Sequence, residues 1–547
     1  MKGLVSAPNM AESGSSNARV TGTRERVEQT ITLRKNKRLE QWKKRRNRGQ
    51  SSPEGKQPET GIPNAFGDQP ALPKPGEPGS VLPPGGVAGA TIDLKNLDLY
   101  VQGVRSGNEE IELDCTRKIR KLLSKEDNPP AMDIINKGLV PLLVEFLKRV
   151  KNPKLQFEAA WALTNIASTE HTEYITRDEP PNKRNAVPFL AHLMLSRNPD
   201  VREQSCWCLG NVAGDGYRLR DIVLGTPRCL NNLILNITKA HNDSMLKNAT
   251  WALSNFCRGK PQPAIQVIQP ALMILGRLIM CDNHEVLRDA CWAFSYISDG
   301  DDSRIQAVLN VQPVPRLVEL LSHPRSAVVT PALRSLGNII SGSDDQTQHA
   351  LSCGALQALI PLLGHEKVNI KKEACWTLSN IAAGTPAQAR ALVNATDQMG
   401  YPVIAKIIEL ANGGHYDVRK EAAWVIANIC TGGDDVNIRA LVNSKPTSAI
   451  FALCGLLTME DPRMLLVGLE AIEAILSRGV PDPGQSYEHM IEECGGVGHL
   501  EDLEDNVDDE IYQKAHSILR NYFDAESEDD DFEVDDSDFT AGPFGPQ

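Results

Sequence analysis

The chain of 547 residues is expected to fold as an all-α solenoid, a stack of helical repeats with no single central core. Three observations lead there. One short sequence recurs at near-constant spacing through the middle of the chain. Each copy ends in Gly or a polar turn, as a helix terminus should. Between copies lie further apolar stretches, such as GLVPLLVEFLKRV at 138–150, that also read as helices.

The copies begin at Phe157, Glu203, Lys247, Arg288, Pro331, Lys372 and Lys420. In order they read FEAAWALTNIAS, EQSCWCLGNVAGD, KNATWALSNFCRG, RDACWAFSYISDG, PALRSLGNIISG, KEACWTLSNIAAG and KEAAWVIANICTGG. Trp stands at 161, 207, 251, 292, 376 and 424, and Arg334 takes its place in the fifth copy. The spacings are 46, 44, 41, 42, 42 and 48 residues. A period of about 40–47 residues marks stacked armadillo or HEAT-type repeats. Pro141, Pro188 and Pro361 sit where a first helical turn accepts proline, because that turn's N–H groups have no intrahelical partner. Weaker copies at 111–124, 463–479 and about 486–523 flank the array, as atypical terminal repeats should.

The ends differ from the middle. Residues 1–50 hold 13 Lys/Arg against 4 Asp/Glu, a net +9, which leaves −21 on the rest of a chain whose total is −12. Residues 1–23 are rich in Ser, Gly and Asn, whereas 24–47 lack Gly and Pro and allow a helix. Residues 51–90 carry nine Pro and eight Gly and read as an extended, flexible linker. The solenoid is expected over 91–523. The tail, 524–547, opens with ten Asp/Glu and no basic residue in 524–538 and is expected to be disordered. An acidic body argues against nucleic-acid binding and for basic ligands.

Other classes find no support in the residues. MKGLVSAPNM has no apolar core of a secretory signal, and no stretch approaches the roughly 18–20 apolar residues of a membrane span. The expectation is a soluble intracellular protein. The 12 Cys are scattered and read as free thiols, and the 11 His show no ligand spacing, so no metal or cofactor is expected. With no phosphate loop and no nucleophile motif, no catalytic residue is named and no enzyme is expected.

The chemistry lies in the repeat position itself. Asn follows the Trp position by four residues at 165, 211, 255, 338, 380 and 428, with Tyr296 in the remaining copy. Residues i and i+4 share a helix face. Two readings are open. In one, Trp packs in the core and Asn makes a ladder between repeats. In the other, which better accounts for an amide beside each indole, the pairs form a ligand-binding row on the concave surface. Helices packed about 8–10 Å apart would set the indoles as walls with slots between them. A Lys or Arg stem could lie in a slot with its charge over an indole face, for roughly 0.5–2 kcal/mol. The Asn amide could pair with the backbone of an extended peptide. Asp215, Asp289, Asp299, Glu373 and Glu421 would stand beside the row. The row is intact at 161–255 and 376–428, and Trp292/Tyr296 and Arg334/Asn338 interrupt it, which suggests two grooves for basic peptides.

At these residues the chain resembles importin-α, also called karyopherin-α. The resemblance rests on WALTNIAS, LGNVAGDG (209–216), WALSNFCRG, PALRSLGNI and MIEECGG (490–496), and spans roughly 24–523. It implies a right-handed superhelix of about ten armadillo repeats that acts as a nuclear-import adaptor. The implied major groove comprises Trp161, Asn165, Ser168, Trp207, Asn211, Asp215, Trp251 and Asn255. The implied minor groove comprises Glu373, Trp376, Asn380, Glu421, Trp424 and Asn428, with Asp289, Trp292, Tyr296, Arg334 and Asn338 at its border. The implied partners are nuclear localisation signals of cargo, importin-β, and an export receptor of the karyopherin-β class with Ran-GTP. Shuttling between cytoplasm and nucleus follows. The segment 24–50 would bind importin-β through Arg34, Lys35, Lys37, Arg38, Lys43, Lys44, Arg45, Arg46 and Asn47, and its KRRN would compete for the chain's own groove. A tethered competitor of this kind has an effective concentration of order mM. A different armadillo scaffold, for signalling or junctional partners, is the alternative.

Overall fold

The computed structural model describes residues 93–124, 129–177, 185–478 and 486–523. The basic segment, the Pro/Gly-rich stretch and the acidic tail lie outside the described residues. Within them the chain is helix and turn, apart from one isolated bridge between Thr396 and Pro402.

Ten helices form the spine: α1 (Glu109–Leu123), α2 (Pro153–Ile166), α3 (Pro199–Gly214), α4 (Asp243–Cys257), α5 (His284–Ser298), α6 (Ser326–Ile340), α7 (Val368–Ala382), α8 (Tyr416–Gly432), α9 (Pro462–Leu476) and α10 (Asp509–Tyr522). Each packs on the next. Shorter helices, such as Val140–Leu147 and Cys229–Thr238, pack against the spine from each repeat. The seven repeat copies fall in α2 to α8, and the weak flanking copies in α1, α9 and α10. Pro141, Pro188 and Pro361 stand in first helical turns.

Local chemistry sets where the spine helices begin. Asn108, Asn152, Asn198, Asn242 and Asn283 each accept a hydrogen bond from backbone N–H groups of the first turn of α1 to α5. Such a cap contributes typically about 1 kcal/mol. Helices α6 and α7 start at Arg325 and Lys367 without a side-chain cap bond. Inside each helix the packed face is small or aliphatic. In α2, Leu155, Ala159, Ala160, Ala162, Leu163 and Ile166 are wholly buried. The alanines let neighbouring helices approach closely, and the leucines supply most of the apolar area removed from water.

Polar rungs between repeats complement the apolar core. Gln346 Nε2 donates to Asp302 O and Gln388 Nε2 to Asp344 O, both at 2.9 Å. Asn232 and Asn236 donate to Ala191 O and Met194 O. Buried Arg220 donates to the carbonyls of Arg258, Gly259 and Pro261. All 12 Cys are free, nine of them buried. No described helix is long and apolar enough to cross a membrane.

Candidate functional site

The predicted row is a continuous feature of the stack, because α2 to α8 each contribute the same helical position. Trp161, Trp207, Trp376 and Trp424 are half-buried. Trp251 and Trp292 are only 6% and 5% exposed, so at these two repeats the indole belongs largely to the core.

The Asn side chains make the ladder. Asn211 Nδ2 donates to Thr164 O, Asn255 to Gly210 O, Asn338 to Ser295 O and Asn428 to Ser379 O, at 2.9–3.1 Å. Each acceptor is the residue just before the Asn position in the preceding repeat. Asn165 closes the series on Arg120 O and Ser124 Oγ. In these five copies one amide donor is therefore committed to holding adjacent repeats in register, whereas the Asn380 amide donor makes no such bond. The ladder and the row use the same residue.

The row retains unpartnered polar atoms. Trp207 Nε1, Asn211 Oδ1 and Asn380 Nδ2 are buried and lack a hydrogen-bond partner. Two of these, a donor and an acceptor, sit one helical turn apart on α3. Asp215 follows at the C-terminal end of that helix, so Trp207, Asn211 and Asp215 run along one face at i, i+4 and i+8. Asp215 is exposed at the surface, yet the protein packed around it withdraws water and pushes its carboxyl pKa up, against a lowering hydrogen bond from Thr172. Ser168, just past α2, turns its hydroxyl back to Asn165 O.

The other predicted acids are placed differently. Asp289 is buried and gripped by Arg288 of its own helix at 2.7 and 3.1 Å. Asp299 pairs with Lys260 at 2.8 Å. Glu373, also buried, takes both Nε and Nη2 of Arg334. In the sequence Arg334 reads as a cation standing in a wall position of the row, which would repel a bound Lys. The bidentate pair instead offsets its charge within the protein. Glu421 lies on α8 ahead of Trp424. Trp292 stacks on Tyr296 with ring centroids 5.8 Å apart, and burial pushes the Tyr296 hydroxyl pKa up to about 12. The interruption is thus filled by internal contacts.

Two kinds of residue escaped the sequence reading. Gly210 and Gly337 lie three residues after Trp207 and Arg334. A Cβ on Gly210 would fall 2.5 Å from Trp251 Cζ3, and one on Gly337 would fall 2.3 Å from Trp376 Cζ3. The next repeat's indole therefore rests directly on glycine backbone. Glu158 is the other: it is buried and takes Arg117 Nε and Arg120 Nε, both at 2.9 Å. Both were visible in principle as recurring offsets, small residues at Trp+3 and a carboxylate at Trp−3.

Comparison with known proteins agrees with this geometry. Residues 127–168, 184–214, 301–341 and 343–383 match the armadillo/β-catenin-like repeat, and 485–536 match an atypical armadillo repeat. Residues 15–117 match the importin-β-binding domain. The chain is 40% identical over 462 residues to importin subunit alpha-1b of Oryza sativa subsp. japonica, covering 83% of this chain and 84% of that protein. The chain belongs to the importin-α family. It is also 43% identical over 444 residues to importin subunit alpha-B of Dictyostelium discoideum, covering 80% and 83% of the two chains. An engineered protein solved by the Northeast Structural Genomics Consortium superposes with a TM-score of 0.70 at 27% identity, covering 78% of this importin-α and 98% of that chain.

Proposed function

We propose that this importin-α is a nuclear-import adaptor that binds Lys/Arg-rich localisation signals in its Trp–Asn rows and joins them to importin-β through residues 24–50. The observation that carries the reading is the α3 face. A half-buried indole, an unsatisfied amide oxygen and a surface carboxylate line up along one side of a helix. An orphaned buried polar group costs about 1–3 kcal/mol, which a ligand that supplies a partner recovers. An extended peptide offers N–H and C=O groups along its length, and Lys or Arg stems suit the indole faces.

The major groove would use Trp161, Asn165, Ser168, Trp207, Asn211, Asp215, Trp251 and Asn255. The minor groove would centre on Trp376, Asn380, Glu421, Trp424 and Asn428. Lys44, Arg45, Arg46 and Asn47 would occupy a groove in the absence of importin-β, with 51–90 as the tether. An export receptor with Ran-GTP would return the adaptor to the cytoplasm, and the acidic tail 524–547 would lie beside that contact. The activity is binding, with no chemical step.

A fluorescence-anisotropy titration of a labelled basic peptide tests this. The full chain is compared with one in which Lys44, Arg45 and Arg46 are alanine. Both should bind, and the substituted chain many-fold tighter. Equal binding removes the autoinhibitory role and leaves a docking segment. No binding by either chain removes the groove, and the rows become purely structural, as in a scaffold of other function.

A further inference from the structure

The two rows begin with the same three-residue device. At the first row, Arg120 of α1 lies with its guanidinium carbon 4.1 Å from the Trp161 ring centroid, and Glu158 of α2 holds it at 2.9 Å. Arg117 joins the same carboxylate. At the second row, Arg334 of α6 lies 5.7 Å from the Trp376 ring centroid, and Glu373 of α7 holds it through two nitrogens. In each case an arginine of the preceding repeat meets a glutamate three residues before the Trp. Both carboxylates are buried, at 5% and 6% exposure. At three other repeats the Trp−3 position is built otherwise. Gln204 donates to Thr164 Oγ1, Asn248 donates to Glu203, and Asp289 is taken by its own helix.

Accepting the groove reading, on which this rests, we infer that these Arg–Glu–Trp clusters are built-in cation locks that close each row at its upstream end and so fix the register of a bound basic peptide. The guanidinium lies over the indole and fills the carboxylate with its N–H donors. The outer face of the first indole and its nearest acid are thereby both satisfied by the protein. An incoming Lys is thereby directed past the first indole of each row, toward Trp207 in the first and Trp424 in the second. Arg120 and Arg334 are specificity residues that act by occupying a place where a ligand cation would otherwise sit.

The test uses the full chain, Arg120→Ala, Arg334→Ala, and Arg149→Ala, in which an exposed arginine is removed as a charge-matched control. Two Gly/Ser-flanked peptides, one with four lysines and one with six, are titrated by anisotropy, and the ratio of their dissociation constants is read. Self-masking by the chain's own basic segment divides out of that ratio. In the Arg120 and Arg334 variants the six-lysine peptide should gain about 3–10-fold over the four-lysine peptide, the range of one added cation–π contact. The control should leave the ratio unchanged. Where alanine costs the fold by circular dichroism, Arg120→Met and Arg334→Met keep the apolar stem and replace it. Ratios unchanged in folded variants, or shifted equally by Arg149→Ala, overturn the lock while leaving the groove standing. No binding of either peptide to the unsubstituted chain overturns both.

Discussion

The α3 face and the α5 face are built on one sequence pattern and end up with opposite polar economies. On α3, Trp207 is half-buried, its Nε1 and the neighbouring Asn211 Oδ1 are unpartnered, and Asp215 stands at the surface. On α5, Trp292 is 5% exposed, its partner at i+4 is an aromatic ring stacked upon it, and Asp289 is chelated within the helix. Under the proposed groove, the difference is what a repeat must leave unfinished in order to bind. A repeat whose indole and carboxylate are satisfied by their own helix contributes stability. A repeat that leaves one donor and one acceptor unmet would have capacity for a ligand.

The largest expected effect comes from breaking the satisfied side. Trp292→Ala should cost about 3–5 kcal/mol of stability by leaving a cavity under Tyr296, measured by chemical denaturation. It should leave basic-peptide affinity near normal below the unfolding transition. Trp207→Ala should do the reverse, with little loss of stability and a loss of roughly 1–3 kcal/mol in peptide binding by calorimetry. If both substitutions weaken peptide binding equally, the two faces are not different in kind.

Gly210→Ala and Gly337→Ala sharpen the comparison by moving an indole without removing it. The added methyl would lie 2.5 Å from Trp251 and 2.3 Å from Trp376, inside van der Waals contact with ring carbons that cannot yield freely. Overpacking of this kind costs typically about 1–3 kcal/mol. Tilting Trp251 should also weaken binding in the first row, and tilting Trp376 in the second. A thermal melt and a peptide titration on each variant separate the two effects. A methyl accepted with neither change would mean that the indoles are mobile against their neighbours.

Much of this was legible in the sequence because the repeat is both periodic and bulky. Trp and Asn recur at fixed offsets, so the spine helices, their number and the shared face could be read before any coordinate. The pairings across repeats could not. Arg120 and Glu158 are 38 residues apart, and nothing local to either says that they meet over Trp161. The Asn amide illustrates a second limit. Its position was evident, but whether its donor serves the neighbouring repeat or a ligand depends on where the preceding backbone carbonyl points. Asp289 and Glu373 illustrate a third. A carboxylate beside an indole reads as a site for a cation, and only burial against Arg288 or Arg334 shows that the protein has already supplied one.

The smallest expected effect belongs to Asp215, and its sign carries the lesson. Burial is the main cause of its raised carboxyl pKa, so the folded chain favours the protonated form more than the unfolded chain does. The stability contribution of that proton is fully present below the ordinary carboxylate value. It is lost as pH rises through the raised value. Binding of a cationic peptide runs the other way, because it needs the carboxylate and strengthens as pH rises through the same range. Asp215→Asn should therefore slightly raise stability at neutral pH while lowering affinity for a lysine peptide by about 0.2–1 kcal/mol, the range for an exposed pair. It should also flatten the acid limb of the affinity curve from the ordinary carboxylate range upward. Anisotropy titrations across that range, paired with denaturant melts, read both quantities on one sample. An unchanged acid limb would take Asp215 out of the site, whereas opposite shifts in stability and affinity would mark it as a residue kept for binding at the fold's expense.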